Sequence, residues 1–316
     1  MRAHKTLKGL VIRGSRNLFT VKLGTEEIEC RLKGKVLKDG GGYYNPLAPG
    51  DIVEIENGLI TGLEKRRNHF ARFNQKGQAP QILAANVDLV LCMTSPASPP
   101  FRPRFIDRLL LEADYSNIPA AVVCNKYDLS LDCPDSDVEE RLEDYVRIGV
   151  PVFRISAKTG EGMDACIDFI RGKVSVISGQ SGVGKSTLIK RLIPDMDIKI
   201  GEINEKYSRG NHTTIQSCFY EIKSGHEDPI TAIIDTPGIR RFAPERINPD
   251  EIIHYMREFA PLAGKCSYGL SCYHITEPGC KILEAIHAGV IHEDRYESFL
   301  RIRDEMAGTE TYPDND

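Results

Sequence analysis

Nine consecutive residues, Gly179-Gln180-Ser181-Gly182-Val183-Gly184-Lys185-Ser186-Thr187, carry the sharpest chemical signal in the sequence. They match the GxxxxGK[ST] spacing of a phosphate-binding loop. The glycines allow a tight loop whose N–H groups converge on phosphate oxygens, and the helix that follows adds a favourable dipole. The apolar run VSVIS precedes the loop and STLIKRLI follows it, giving the strand–loop–helix context this chemistry needs. Lys185 is expected at the β- and γ-phosphates and Ser186 on Mg²⁺, so the site takes a nucleoside triphosphate.

The identity of the base is written elsewhere. Asn125-Lys126-Tyr127-Asp128 ends the apolar run AAVVC and fits the guanine-reading NKxD pattern. A carboxylate at Asp128 accepts from both N1–H and N2–H₂ of guanine, and adenine offers no such edge. Asn125 is expected on the opposite side of the base and Lys126 along its plane. Ser156-Ala157-Lys158, after PVFRI, fits the companion loop whose backbone N–H meets the guanine carbonyl. Asp235-Thr236-Pro237-Gly238 ends TAIIDT. Asp235 is expected to hold Mg²⁺ through water, and the Gly238 N–H to meet the γ-phosphate. Upstream, GEINEKYSRGNHTT reads as a switch segment in which Thr213 or Thr214, preferably Thr214, ligates Mg²⁺.

A second constellation lies near the C-terminus. Cys266, Cys272, His274 and Cys280 fall within fifteen residues and offer three thiolates and one imidazole. That soft donor set suits one tetrahedral structural Zn²⁺ per chain, with no open position for catalysis. The other cysteines are scattered, and no disulfide framework is expected.

These residues need a scaffold. At 316 residues the chain should form two or three units. Residues 1–75 hold five short glycine-punctuated strand patterns and a basic linker, expected as an OB-like (oligonucleotide-binding) β-barrel, with an SH3-like barrel as rival. In residues 76–244 buried apolar runs alternate with helical stretches, which predicts an α/β domain with a largely parallel sheet. Residues 245–316 read as a helical zinc-binding module, beginning with a helix over 248–262. The fold class is therefore multidomain: barrel, α/β nucleotide-binding domain and helical zinc module.

Net charge is −4, which excludes a uniformly basic protein. The total conceals +7 over residues 1–38 and −7 over residues 245–316, so a local RNA footprint is compatible with it. Arg13, Arg16, Arg31, Lys33, Lys35, Lys38 and the Arg66–Lys76 stretch are candidate phosphate contacts. Phe70 and Phe73 either stack on bases or pack internally. No run of 18 apolar residues suggests a membrane span, and the opening MRAHKTLKGLVIRG lacks a signal-peptide core. Cytoplasm is the expected location.

The order of the motifs is unusual. The guanine motifs precede the phosphate loop, and Asp235–Gly238 comes last, so the nucleotide-binding domain is circularly permuted, joined near Phe169–Lys173. Movement of Gly238–Phe242 would then pass directly toward the C-terminal module. In this permuted order and in its cysteine pattern, the sequence resembles the RsgA or YjeQ family of ribosome-assembly GTPases over essentially its whole length. The resemblance implies Mg²⁺-dependent hydrolysis of GTP to GDP, stimulated by the small ribosomal subunit and acting late in its maturation. It also implies contact with ribosomal RNA, checking of the decoding region and release of an assembly factor. The family's Cys/Cys/His/Cys zinc set falls on the four residues named above.

Catalytic roles are expected for Lys185, Thr214 and His212. Position 239, where many GTPases orient water with Gln, is Ile, and His212 is similar to a family histidine proposed for that task. The position at which some GTPases carry an Asn for potassium is Gly182, and Gln180 stands where the family often has proline. A monomer without membrane contact is expected. The rival reading is a guanine-nucleotide-regulated RNA or protein scaffold with negligible turnover, and an ATPase is disfavoured by Asn125–Asp128.

Overall fold

The computed structural model describes residues 6–15, 17–33, 42–132, 137–194, 216–222, 230–238, 242–244 and 247–308. Five strands, β1 (Leu7–Ser15), β2 (Leu18–Leu23), β3 (Glu26–Leu32), β4 (Ile52–Glu56) and β5 (Leu59–Leu63), close a barrel in the order β1-β2-β3-β5-β4. Alternation decides which side chains fill it. Val11, Phe19, Val21, Cys30, Val53, Ile55 and Ile60 point inward and are fully buried, while Arg13 and Arg31 stay on the outside. The loop into β4 is stapled by Asp51, wholly buried, whose carboxylate accepts from Arg66 Nε at 2.7 Å and Nη2 at 2.8 Å.

The basic linker is a second structure in its own right. It forms a hairpin of β6 (His69–Asn74) and β7 (Ala79–Ala85), which the sequence reading did not anticipate. Phe70 is wholly buried and stacks on Phe242, with ring centroids 5.6 Å apart, so it packs internally. Phe73 donates its backbone N–H to Ala243 O at 2.9 Å. Arg66 is committed to Asp51, and Arg67 pairs with Asp88 at 2.7 Å, so much of this cluster is structural.

Next comes a six-stranded sheet of β8 (Leu89–Thr94), β9 (Ala120–Cys124), β10 (Val152–Arg154), β11 (Val174–Gly179), β12 (Cys218–Ile222) and β13 (Thr231–Asp235), ordered β10-β9-β8-β11-β13-β12. All pairs are parallel except β12 with β13. The central strands are buried along their whole length, as both faces are covered by helices. Helices α1 (Pro103–Tyr115), α2 (Val138–Arg147), α3 (Met163–Ile170) and α4 (Lys185–Leu192) supply the crossovers. The loop from α3 to β11 is residues 171–173, which is how little chain the permuted order requires.

The C-terminal segment departs from expectation at its start. In place of one helix over 248–262 there are 3₁₀ turns at Pro249–Tyr255 and Ala260–Leu262. Met256 is extended and Pro261 lacks an N–H, so an α-helix cannot run through. Helices α5 (Lys281–His287) and α6 (Glu293–Ala307) follow. This module docks on α1 through a buried polar knot. Asp107 accepts from Arg295 Nη1 at 2.8 Å, Ser298 Oγ at 2.5 Å and Tyr145 OH at 2.7 Å. Burial alone would raise the Asp107 pKa, but Arg295 and Arg141 outweigh it and hold the carboxyl below its usual range. Arg257 adds a bidentate pair to Asp114. No described helix is long and apolar enough to cross a membrane.

Candidate functional site

The site is assembled at the C-terminal ends of neighbouring strands. β11 delivers the phosphate loop, β9 delivers Asn125–Asp128, β10 delivers Ser156–Lys158 and β13 delivers Asp235. Ligands in open parallel sheets bind at this edge, where the strand order reverses around the central pair.

Within the loop, Gly184 has φ +92° and an added Cβ there would lie 2.3 Å from Asn125 Nδ2, so glycine is required both for conformation and for space. Asn125 is the joint of the site. Its Nδ2 donates to Val183 O at 2.8 Å, and its Oδ1 accepts from Ala157 N at 2.9 Å. One buried side chain thus ties the phosphate loop to both guanine loops. Lys126, itself at φ +60°, donates Nζ to Gly182 O at 2.7 Å and to Ser98 O at 2.6 Å. Asp128 is exposed on a 3₁₀ turn, and Ser156 is buried, its hydroxyl accepting from Thr159 N at 3.2 Å. Lys158 is exposed, as is Ser181, while Gln180 and Val183 are buried.

Lys185 is buried and donates Nζ to Gly179 O at 2.8 Å and Gln180 O at 2.9 Å. Burial lowers its pKa to about 8, with Asp235 opposing the shift. Asp235 is 1% exposed, and burial raises its pKa to about 6 against the pull of Lys185 and the Thr236 amide. Among the described residues its Oδ1 has no hydrogen-bond partner. An orphaned buried carboxylate oxygen beside Lys185 is what a site for a hydrated Mg²⁺ should present. Ser186 lies half-buried in the first turn of α4, Thr187 is exposed there, and Gly238 packs against the loop, an added Cβ lying 3.2 Å from Lys185 Nζ. His212, Thr213, Thr214 and Ile239 fall outside the described residues.

The second site is compact. The ligand atoms of Cys266, Cys272, His274 and Cys280 all lie within 4.8 Å of one another, and all four residues are buried. Cys266 Sγ is 3.8 Å from Cys280 Sγ, and His274 Nδ1 is 3.4 Å from Cys280 Sγ. Zn–S bonds of about 2.3 Å at tetrahedral angles put sulfurs roughly 3.8 Å apart, so the donor set fits one zinc. The Lys281 N–H points to Cys266 Sγ at 3.3 Å and Tyr296 OH donates to His274 O at 2.6 Å, both fixing the ligands. Glu277 folds its carboxylate onto the N–H groups of Tyr273, Ile275 and Thr276 at 2.8–3.0 Å, and these bonds, Ile275 first, push its pKa down to about 2. The sequence reading missed Glu277, Ser98 and the Phe70–Phe242 stack. A carboxylate amid ligand spacings was the one available signal.

A family model described as RsgA GTPase matches residues 63–245. The small ribosomal subunit biogenesis GTPase RsgA of Bacteroides fragilis is 36% identical over 301 residues, covering 93% of this chain and 95% of that protein. Its namesake from Borrelia garinii subsp. bavariensis is 37% identical over 312 residues, covering 96% and 97%. Among solved structures, YjeQ from Thermotoga maritima matches with a TM-score of 0.70 at 28% identity, covering 97% of this chain and all of that one. YloQ, described as a circularly permuted GTPase, matches at 0.66 and 21% identity over 99% of both chains, a likeness of fold.

Proposed function

The chain belongs to the RsgA family of GTPases, and from that premise we propose that it hydrolyses GTP on the small ribosomal subunit, late in that subunit's maturation. The observation that carries this reading is Asn125, whose two hydrogen bonds couple the guanine loops to the phosphate loop. A site wired in this way rewards guanine and triphosphate together.

In the proposed reaction Asp128 accepts from N1–H and N2–H₂ of guanine, and the Ala157–Lys158 backbone receives the base carbonyl. Lys185 turns from the carbonyls of Gly179 and Gln180 to the β- and γ-phosphates, where its charge offsets that developing on the bridge oxygen. Ser186, Thr214 or Thr213, and Asp235 through water would hold Mg²⁺, which would supply charge neutralisation at the phosphates. Gly238 donates to the γ-phosphate. His212 orients the attacking water, a task closed to the hydrocarbon side chain of Ile239. One structural zinc staples the C-terminal module.

Arg13, Arg31 and Lys33 are exposed on or beside the barrel and are proposed to meet ribosomal RNA phosphates. Arg16, Lys35 and Lys38 fall outside the described residues. We also assign to the protein a cytoplasmic location, a monomeric state and a role in releasing an assembly factor. Hydrolysis measured with small subunits, large subunits and neither tests the reading. Stimulation by small subunits alone is expected. An equal rate in all three favours the rival scaffold.

A further inference from the structure

Four large apolar side chains stand in solvent within eight residues of the metal-site loop: Tyr268 (56% exposed), Leu270 (81%), Tyr273 (69%) and Ile275 (50%). Apolar groups gathered in this way mark interaction surfaces. Their backbone is firmly held. Cys266, Cys272, His274 and Cys280 gather the loop around the metal site, Glu277 captures three of its amides, and Arg303 donates to Tyr273 O at 2.6 Å. A surface ordered in advance loses little entropy when it is covered.

Beside these residues lies a cleft of about 520 Å³. Leu270 and Tyr273 form part of its wall, Ile253 and Phe299 contribute buried apolar surface, and Asp250 and Glu251 bring carboxylates to it. Neither carboxylate has an ion-pair partner among the described residues, and Arg303, the arginine that lines the cleft, is engaged by Tyr273 O and Asp304. The module as a whole carries −7. This field repels nucleic-acid phosphates and attracts lysine and arginine.

We propose that the zinc-module cleft and its apolar rim bind a basic segment of a partner protein, anchored by an aliphatic or aromatic side chain beside Leu270 and Tyr273 and flanked by cations facing Asp250 and Glu251. Aromatic rims around an apolar pocket are the usual anchors of protein interfaces. The inference rests on the small-subunit reading only for where that partner is found, among the basic proteins of the subunit.

The test uses the full chain bound to purified small subunits with a non-hydrolysable GTP analogue. Leu270→p-benzoylphenylalanine and Tyr273→p-benzoylphenylalanine are irradiated in the complex, with Val146→p-benzoylphenylalanine on α2 as the exposed control. Crosslinks from positions 270 and 273 to a basic subunit protein, absent from 146, are expected. Crosslinks to ribosomal RNA or to a second copy of this chain, or none above the control in a complex that has formed, overturn the inference and leave the function standing. Failure of the complex to sediment together overturns the small-subunit reading and the inference with it. As a second measurement, the double variant Leu270→Asp, Tyr273→Asp should bind small subunits at least tenfold more weakly while keeping one zinc and unchanged guanine-nucleotide affinity. Unchanged subunit affinity contradicts the assignment.

Discussion

Phe242 stacks on Phe70 with ring centroids 5.6 Å apart and meets Phe105 of α1 edge-on at 6.4 Å. Phe242 lies four residues beyond Gly238, and Phe70 lies on the hairpin that follows the barrel. The sequence suggested that movement after Gly238 would pass straight to the C-terminal module. Packing gives it a different first contact: the hairpin receives Phe242, while the module is fastened to α1 through Asp107 and Arg295. The barrel side is linked to the sheet as well, by Lys22 on β2 pairing with Glu221 on β12.

Phe70→Ala should remove this contact and leave a cavity in a wholly buried position. A loss of about 3–5 kcal/mol is expected in chemical denaturation, as for other buried Phe→Ala changes. Phe70→Leu, which keeps most of the volume, should cost much less. Equal, small losses in both would show that the ring is not part of the core.

The strand ends gathered at one edge of the sheet were legible because each follows a short buried apolar run, as AAVVC precedes Asn125 and TAIIDT contains Asp235. The hairpin was not, since HFARFN carries charge and is only partly buried, and its partner Phe242 is far away in sequence. The apolar spacing of NPDEIIHYMREFAPL suggested a helix, but periodicity does not register the missing N–H at Pro261 or the extended turn at Met256. Arg66 read as a phosphate contact because its charge was visible and buried Asp51, fifteen residues earlier, was not an obvious partner. Glu277 works through backbone amides, which leave no mark on side-chain pattern.

Asp235 should make nucleotide binding sensitive to acid. Its pKa, raised to about 6 by burial, leaves it protonated below that pH in the nucleotide-free chain, whereas a hydrated Mg²⁺ requires the carboxylate. The folded state therefore binds the proton more tightly than the unfolded chain, and this group's contribution to stability falls as pH rises from about 4 to 6. Lys185, lowered to about 8, adds a cost that is fully present at neutral pH and is relieved as pH rises through 8 to about 10.5. Mg²⁺ and GTP bound at these two groups would offset both costs at pH 7. Affinity for Mg²⁺–GTP should weaken about fivefold between pH 6 and 5. Asp235→Asn should lose that part of the slope, separating it from protonation of the nucleotide, and identical slopes in both chains would contradict the assignment.

Removing zinc should loosen the C-terminal module before the sheet. Metal analysis is expected to return one zinc per chain, and the double change Cys266→Ser, Cys280→Ser should abolish it. Because Cys266, Cys272 and Cys280 sit inside the module's own core with Phe259 and Phe299, its helices should melt at lower temperature without the metal. Guanine-nucleotide affinity, set about the sheet edge, should hold. Retained zinc in the double variant would rule out these ligands.

The most direct test exchanges the base that the site reads. Asp128→Asn replaces an acceptor with an amide that can donate to the C2 carbonyl of xanthine, the position where guanine carries N2–H₂. Hydrolysis is measured in the presence of small ribosomal subunits with GTP and with XTP. The expected result is a fall of at least a hundredfold in kcat/KM for GTP with a gain for XTP, since a lost charged hydrogen-bond pair to a base edge is worth about 3 kcal/mol or more. Stimulated GTP hydrolysis that survives Asp128→Asn undiminished would contradict the assignment of this site as the GTPase centre.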